Sequence, residues 1–230
     1  MRSFGALVVV AACGGESSGG GSDAAGGSCA SVPADESGDG TYYDATGAGN
    51  CSFDASPNDL MVAAMNHADY GTADWCGACL EVTGPNGKVT VRVVDQCPGC
   101  AHGDLDLSQQ AFAMLSPLAA GRIPITWHEV ACDVSGPIDY HFKNGANAYW
   151  TAIQIRNHRY PIAKLEAMQG SGFVAIQRLD YNYFVQASGL GAGPYALRVT
   201  DTRGHVLDDS GIALGDDVTR TGAAQFPLCP

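Results

Sequence analysis

Two Cys-x-x-Cys pairs and three aspartates lie close together near the middle of the chain: Cys76, Cys79, Asp95, Cys97, Cys100, Asp104 and Asp106. The pairs are separated by 17 residues, a spacing found in four-cysteine zinc sites. The same cysteines could also form a redox centre, or disulfides that brace an acidic site. Carboxylates serve as general acids, general bases and hydrogen-bond partners, so the neighbouring aspartates are candidate site residues.

The first residues of the chain predict the compartment. Arg2 precedes an apolar run over residues 4–12, which is too short to cross a bilayer and is typical of an export signal. The run ends in V-A-A-C, and small residues before Cys13 resemble the lipobox of bacterial lipoproteins. We therefore predict a signal peptide over residues 1–12 and an acylated Cys13 that holds the exported protein on a membrane surface. An ordinary secretion signal is the alternative.

Eight cysteines remain after Cys13 is assigned to lipid: Cys29, Cys51, Cys76, Cys79, Cys97, Cys100, Cys132 and Cys229. An even number in an exported chain favours disulfides. A zinc ribbon would leave four of them unexplained and would need reduced thiols outside the cytoplasm. Neither pair opens a βαβ unit, as a thioredoxin-like motif would. The six histidines are scattered, so we expect no metal and no other cofactor.

Composition predicts a flexible segment near the N-terminus, and the net charge disfavours several classes of binding partner. Residues 13–39 include a long glycine- and serine-rich stretch, which predicts a flexible tether. The formal net charge of −12 disfavours nucleic acid, anionic lipid and acidic polysaccharide, whereas a neutral polymer meets no such penalty. The only membrane association expected is through the lipid anchor.

Local patterns predict the elements that position the acidic residues. Residues 56–65 have the capping pattern of a short helix, and residues 80–95 read as two strands joined at Asn86-Gly87. By the two-residue period of a strand, Asp95 lies on the same face as the valines before it. Because the strand is expected to end there, we expect the Asp95 carboxylate to leave the core. Ser108 caps a second helix over residues 109–115. After a linker, short β-favouring runs predict a small β-sandwich.

Several stretches resemble the microbial expansins: G-T-Y-Y-D from residue 40, C-G-A-C-L-E-V from 76, V-D-Q-C-P from 94, G-D-L-D-L-S from 103, A-I-Q-I-R-N-H-R-Y-P from 152 and L-D-Y-N-Y-F-V from 179. The resemblance covers residue 40 to the C-terminus. It implies a mainly β fold, with a six-stranded double-psi β-barrel over residues 40–134. An immunoglobulin-like, cellulose-binding sandwich over residues 138–230 would follow. It also implies loosening of plant cell walls without measurable cutting of the glucan.

The resemblance also implies site residues. Thr41, Asp95 and Asp106 match the groove of the barrel, with Asp106 as its essential aspartate. The carbohydrate-binding strip of the second domain is matched by Tyr149, Trp150, Tyr181 and Lys143. Two positions depart from close bacterial relatives: Cys97 replaces a groove tyrosine, and Tyr149 replaces a tryptophan and offers a smaller stacking face.

The cysteines as a set resemble those of plant expansins and barwin-like barrels. By that analogy Cys51 pairs with Cys76 and Cys79 with Cys132, while Cys97 and Cys100 close a local loop. The two cysteines left over then pair with each other, Cys29 with Cys229.

Three alternatives to a non-hydrolytic expansin follow from the same residues. Asp44 could face Asp106 as the base of a family-45-like inverting endoglucanase, or it could begin a turn. A carbohydrate-binding adhesin with an idle barrel is the non-enzyme alternative. Septal lytic transglycosylase lipoproteins, which act on peptidoglycan, also carry such a barrel behind a lipid anchor. We expect a monomer that binds cellulose and related neutral β-glucans, with peptidoglycan as a second possible partner, and no measurable hydrolysis.

Overall fold

The computed structural model describes residue 1, residues 29–30 and residues 34–229. The predicted signal peptide, the lipidation at Cys13 and most of the predicted tether lie outside these residues. Within them, no helix has both the length and the apolar character needed to cross a membrane.

The first half of the described chain is a closed barrel. Its six strands are β1 (Glu36–Tyr43), β2 (Val62–Asn66), β3 (Cys79–Gly84), β4 (Gly87–Cys97), β5 (Leu105–Ser108) and β6 (Ile123–Val130). They follow each other around the barrel in the order β1-β5-β2-β4-β3-β6. β1 is parallel to β5 and β2 to β4, and the other neighbours are antiparallel. This confirms the six-stranded barrel expected from the sequence.

Two short helices and a 3₁₀ turn connect these strands: α1 (His67–Tyr70), α2 (Gln109–Leu115) and Leu118–Ala120. The predicted second helix is confirmed, because Ser108 accepts a hydrogen bond from the N–H of Ala111 and caps α2. The hairpin predicted at Asn86-Gly87 is also present, between β3 and β4.

The helix predicted over residues 56–65 is wrong. Ser56 and Asp59 form a turn through an N–H···O bond of 2.9 Å, and β2 follows. Every residue of β2 is buried, because this strand lies between β4 and β5. An uninterrupted apolar run suits a central strand as well as a helix, and pairing on both sides decides for the strand.

The first strand also begins earlier than expected. Residues 36–39 belong to the stretch predicted as tether, but they lie in β1 and pair with β6. Backbone hydrogen bonds order this segment although its side chains are polar. Asp104 contributes too, because its Oδ1 accepts the N–H of Asp39 at 2.8 Å.

The second half is an antiparallel sheet of eight strands: β7 (Asp139–Phe142), β8 (Thr151–Arg156), β9 (Ile162–Gln169), β10 (Gly172–Arg178), β11 (Phe184–Gln186), β12 (Tyr195–Asp201), β13 (Val206–Ile212) and β14 (Val218–Thr221). Their order is β13-β12-β9-β10-β11-β8-β7-β14. β10 pairs first with β9 and then with β11, so it passes from one half of the sheet to the other. Both halves contribute to one core, as Phe142 and Ile153 do from one side and Leu165 and Leu197 from the other. The immunoglobulin-like label for this domain stays a prediction.

Polar contacts join the two domains, and a disulfide ties the segment before the barrel to the second domain. Arg203 donates to Glu129 at 2.8 Å, with both side chains almost completely buried, and Gln154 Nε2 donates to the carbonyl of Cys51 at 2.7 Å. The structure contains the four disulfides that were predicted by analogy with plant expansins and barwin-like barrels, including the pair of left-over cysteines: Cys51–Cys76, Cys79–Cys132, Cys97–Cys100 and Cys29–Cys229.

Candidate functional site

Four residues form a row across four neighbouring barrel strands, and we call it the carboxylate row: Thr41 of β1, Asp106 of β5, Ala64 of β2 and Asp95 of β4. The strand register pairs Thr41 with Asp106, Asp106 with Ala64, and Ala64 with Asp95. Residues directly opposite each other on paired strands lie on the same face of the sheet. The structure therefore brings together the three groove residues implied by the resemblance, with the small side chain of Ala64 between the two aspartates.

A β-bulge in β4 places Asp95 in this row. The register with β2 pairs Ala63 with Val93 and Ala64 with Asp95, which leaves Val94 as an extra residue. Regular alternation would have put Asp95 on the face of Val93, inside the barrel, and the bulge reverses it. Asp95 is half-buried, whereas Val93 is fully buried. The expectation that Asp95 leaves the core because its strand ends is therefore wrong, since β4 continues to Cys97.

Main-chain groups hold the Asp95 carboxylate. Its Oδ1 accepts the N–H of Asn50 at 2.6 Å and the N–H of Gln96 at 2.8 Å. A Cβ at Gly49 would lie only 2.3 Å from Asp95 Cγ, so glycine is required for the loop to approach this closely. Among the described residues Oδ2 receives no hydrogen bond, which leaves it available to a ligand.

Asp106 combines a neighbouring donor with a partly buried carboxyl group. Thr41 Oγ1 donates to Asp106 Oδ1 at 2.6 Å. Burial raises the pKa of Asp106 above its ordinary value, and the charge of Asp95 adds to this, while the Thr41 hydroxyl and the charge of Arg122 act in the opposite direction. A carboxyl group that keeps its proton at mildly acidic pH can donate a hydrogen bond or a proton to a polar ligand.

Tyr43 belongs to this site, although the sequence analysis did not single it out. It lies two residues after Thr41 in β1, and its buried hydroxyl has no hydrogen-bond partner among the described residues. Burial raises the pKa of the Tyr43 hydroxyl, and the charges of Asp95 and Asp106 raise it further. The phenol is therefore neutral and offers an unused donor close to both carboxylates. The two-residue period from Thr41 is the signal that would have found it.

Asp44 lies outside the carboxylate row. It follows the end of β1 and is exposed. Within the described part of the chain, its carboxylate makes no hydrogen bond and no ion pair. The role of Asp44 as a catalytic base stays a prediction.

We use the name aromatic patch for the four residues expected to bind carbohydrate in the second domain: Tyr149, Trp150, Tyr181 and Lys143. Lys143 Nζ lies 5.9 Å from the ring centre of Tyr181 and 5.0 Å from that of the buried Tyr183, distances typical of cation–π contacts. Tyr149 is 84% exposed. Tyr149 and Trp150 precede β8 in a turn closed by backbone hydrogen bonds between Trp150 and Asn147. Strand alternation therefore does not force their rings onto opposite faces.

Asn50 connects the carboxylate row with the aromatic patch. Its N–H binds Asp95, and its side-chain Nδ2 donates to the carbonyl of Asp180 at 2.9 Å. The Tyr70 hydroxyl donates to the same carbonyl at 2.8 Å. Asp180 directly precedes Tyr181, so a single residue links the barrel carboxylate to the backbone that carries a patch aromatic. Sequence reasoning missed Asn50, because its role depends on how the two domains meet.

Metal ligands are not assembled at this site. Among the described residues, the single group with metal-ligand spacing is Cys29, His205 and Cys229. Its two cysteines form a disulfide with each other, and the group lies outside the carboxylate row.

The fold and the site define a class of protein: a six-stranded barrel with parallel strand pairs and an open row of carboxylates, fixed to an antiparallel β domain with aromatics beside it. A family model described as "Lytic transglycolase" matches residues 37–127, which is the barrel alone. Expansin-YoaJ of Bacillus subtilis (strain 168) is 38% identical over 211 residues, or 86% of this chain and 90% of that protein. The chain therefore belongs to the expansin family.

Other relatives agree with this assignment. Expansin-like protein 2 of Dictyostelium discoideum is 32% identical over 180 residues, which are 73% of this chain and 44% of that longer protein. The ligand-free crystal structure of the Clavibacter michiganensis expansin has a TM-score of 0.78 at 34% identity, covering 85% of this chain and 100% of that one. A point mutant of the same expansin, in complex with cellohexaose, has a TM-score of 0.79 at 33% identity with the same coverage.

Proposed function

We propose that this protein binds cellulose and related neutral β-glucans and loosens non-covalent contacts between glucan chains without cutting them. The observation that carries the proposal is the Asn50 junction, because it fixes the backbone beside Tyr181 to the barrel loop that holds Asp95. The complex of the Clavibacter michiganensis expansin mutant with cellohexaose supports the class of ligand.

Binding begins at the aromatic patch. The flat apolar face of a glucose unit stacks on an aromatic ring, and release of water from both faces drives the contact. Lys143, held over Tyr181, supplies a donor for the hydroxyls at the edge of the sugar. A neutral ligand suits the net charge of −12, which would oppose an acidic polymer.

Loosening takes place at the carboxylate row by exchange of hydrogen bonds. Protonated Asp106 donates, and the free Oδ2 of Asp95 accepts. These groups replace hydrogen bonds that a glucan chain makes to its neighbours, so that the chain can shift along them. No covalent bond forms or breaks in this step.

Hydrolysis by Asp44 and Asp106 is the alternative mechanism. An inverting glycosidase needs its two carboxyl groups about 6.5–9.5 Å apart, facing each other across the sugar with a water between them. Asp44 lies beyond the end of β1 and outside the strand register of the row. If Asp44 and Asp106 do cut β-glucan, new reducing ends will appear from soluble substrate and will disappear in Asp44→Ala.

Export and attachment complete the proposal. We infer that the protein is exported, and that the predicted acylation of Cys13 attaches it to the cell surface as a monomer. Mass spectrometry of the mature N-terminus tests the anchor, since an acylated Cys13 must be the first residue. Four disulfides fit an oxidising compartment.

The test is a pull-down on crystalline cellulose and, in parallel, on purified peptidoglycan, with reducing-sugar release and the weakening of cellulose paper measured in the same preparations. The unaltered protein should bind cellulose, release no sugar and weaken paper. Asp106→Ala should keep binding but lose weakening, and Asp208→Asn, an exposed aspartate of the second domain, is the matched control. Full weakening by Asp106→Ala would identify an adhesin with an idle barrel, and preferential binding to peptidoglycan would refute the glucan proposal.

A further inference from the structure

A second concave site, the interdomain cleft, lies between the barrel and the second domain. Its volume is about 450 Å³, and its walls include Phe53, Met61 and Arg92 of the barrel with Asn157 and His158 of the second domain. None of these residues belongs to the carboxylate row or the aromatic patch. The volume falls within the range of about 300–1,000 Å³ that is usual for small-molecule sites.

Arg92 is the unusual residue of this cleft. Its guanidinium Cζ lies 5.1 Å above the ring of Phe53, and within the described part of the chain it makes no hydrogen bond and no ion pair. Burial lowers the pKa of Arg92, while the charge of Asp59 acts against this. A guanidinium has five N–H donors, and those of Arg92 are not among the buried unpartnered atoms, so they are available to solvent or to a ligand in the cleft.

The other arginines in the described residues all have partners. Each donates at least one hydrogen bond to a carboxylate or a carbonyl: Arg122, Arg156, Arg159, Arg178, Arg198, Arg203 and Arg220. The exception at Arg92 coincides with a cavity large enough to hold a ligand.

Acceptors face the same cleft. Asn157 uses its Nδ2 to donate to the carbonyls of Ser135 and Pro137 at 2.8 and 2.7 Å, which leaves its Oδ1 free among the described residues. His158 Nδ1 lies 2.8 Å from the carbonyl of Tyr160, so this nitrogen carries the proton and Nε2 is an acceptor. Burial lowers the pKa of His158 to about 4, so the ring is neutral at neutral pH.

The distribution of charge favours a neutral ligand. Two exposed carboxylates, Asp59 and Asp133, also line the cleft, so an anionic ligand would be attracted by one arginine and repelled by two aspartates. A ligand with many hydroxyl groups satisfies donors and acceptors alike, and Phe53 and Met61 provide apolar surface for its C–H face.

We propose that the interdomain cleft is a second carbohydrate site, which takes one or two units of a neutral sugar through Arg92, Asn157 and His158. The proposal rests on the neutral-glycan function proposed above and adds a binding position separate from the carboxylate row and the aromatic patch. A glycan held in the cleft would occupy the junction between the domains.

The experiment titrates the ¹⁵N-labelled full chain with cellobiose, xylobiose and, as an anionic probe, glucuronic acid, and follows backbone amide shifts. A disaccharide should shift the amides of Asn157 and His158, and it should do so equally in the double variant Asp106→Ala/Trp150→Ala. Arg92→Met keeps most of the side-chain volume and should weaken this binding roughly tenfold to a hundredfold, the usual consequence of losing hydrogen bonds to a charged group.

Arg198→Met is the matched control. Arg198 also lies over a phenylalanine, 4.2 Å from the ring centre of Phe173, but it is paired with Asp208 and does not line the cleft. Its loss should leave disaccharide binding unchanged. Arg92→Met loses the contact with the Phe53 ring, so its Tm is measured in parallel to verify that the variant is folded. If that variant does not fold, Met61→Trp, which fills the cleft, should abolish the shifts.

Each other outcome overturns the proposal. Absence of shifts at the cleft, shifts that survive both Arg92→Met and Met61→Trp, or tighter binding of glucuronic acid than of either disaccharide would do so. Cellulose pull-down by Arg92→Met should be unchanged, so failure at the cleft is distinguishable from failure of the proposed function.

Discussion

Replacing Thr41 by Val tests the central contact of the site. Thr41 Oγ1 donates to Asp106 Oδ1 at 2.6 Å, and this bond favours the ionised carboxylate, so it opposes the effect of burial. Hydrogen bonds to charged groups contribute about 1.5–3 kcal/mol, and one pKa unit corresponds to about 1.4 kcal/mol. Asp106 is only half-buried, so the lower end applies. The pKa of Asp106 should rise by about one further unit.

Carboxyl ¹³C chemical shifts followed against pH measure this pKa directly. Paper weakening should respond in the same direction, since protonated Asp106 is the proposed donor, and its upper pH limit should move up by about one unit in Thr41→Val. Thr72→Val is the control, because Thr72 donates to a different aspartate, Asp74, at 3.3 Å. An unchanged or lower pKa of Asp106 in Thr41→Val would refute the reasoning.

Three further predictions concern other contacts. Tyr43→Phe removes a buried hydroxyl without a partner, so denaturant titration should show equal or greater stability, by up to about 1 kcal/mol; lower stability would reveal a partner. Arg203→Met leaves Glu129 without its buried counter-charge and should cost about 3–5 kcal/mol. Burial already raises the pKa of Glu129. The Arg203→Met variant therefore keeps its stability at low pH, where Glu129 is protonated and neutral, and loses stability as the pH rises through that pKa. The drop in Tm caused by the substitution should be larger near pH 8 than near pH 5, and a drop independent of pH would contradict this. Trp150→Ala should weaken cellulose binding about tenfold, or roughly 1–2 kcal/mol for one ring face, whereas Phe173→Ala should not.

Local signals in the sequence predicted local structure well. The Asn86-Gly87 turn and the Ser108 cap act within a few residues, and both elements are present as expected. The helix predicted before residue 66 failed because its capping pattern was also local, whereas β2 is determined by its pairing with residues of β4 and β5 that lie 30 or more positions later in the chain. Where pairing partners come from elsewhere in the chain, periodicity alone does not decide between helix and strand.

In the candidate site, too, the positions of residues that are set by local structure were predicted, and the positions set by distant contacts were not. Thr41 and Asp106 follow the regular alternation of their strands, and the resemblance identified both. The position of Asp95 depends on one extra residue at Val94, which alternation cannot anticipate. Asn50 gains its role only through the carbonyl of Asp180, 130 residues later in the chain.

The disulfide between Cys29 and Cys229 also determines how the molecule transmits mechanical load. Cys29 is bonded to Cys229, and the N–H of Ala30 donates to the carbonyl of Arg203, so residues 29–30 are fixed to the second domain although the barrel comes next in the chain. Tension between an upstream attachment point and a polymer held by that domain would pass through the sulfur–sulfur bond. The barrel would then carry none of this tension and would remain able to rearrange the polymer that it contacts.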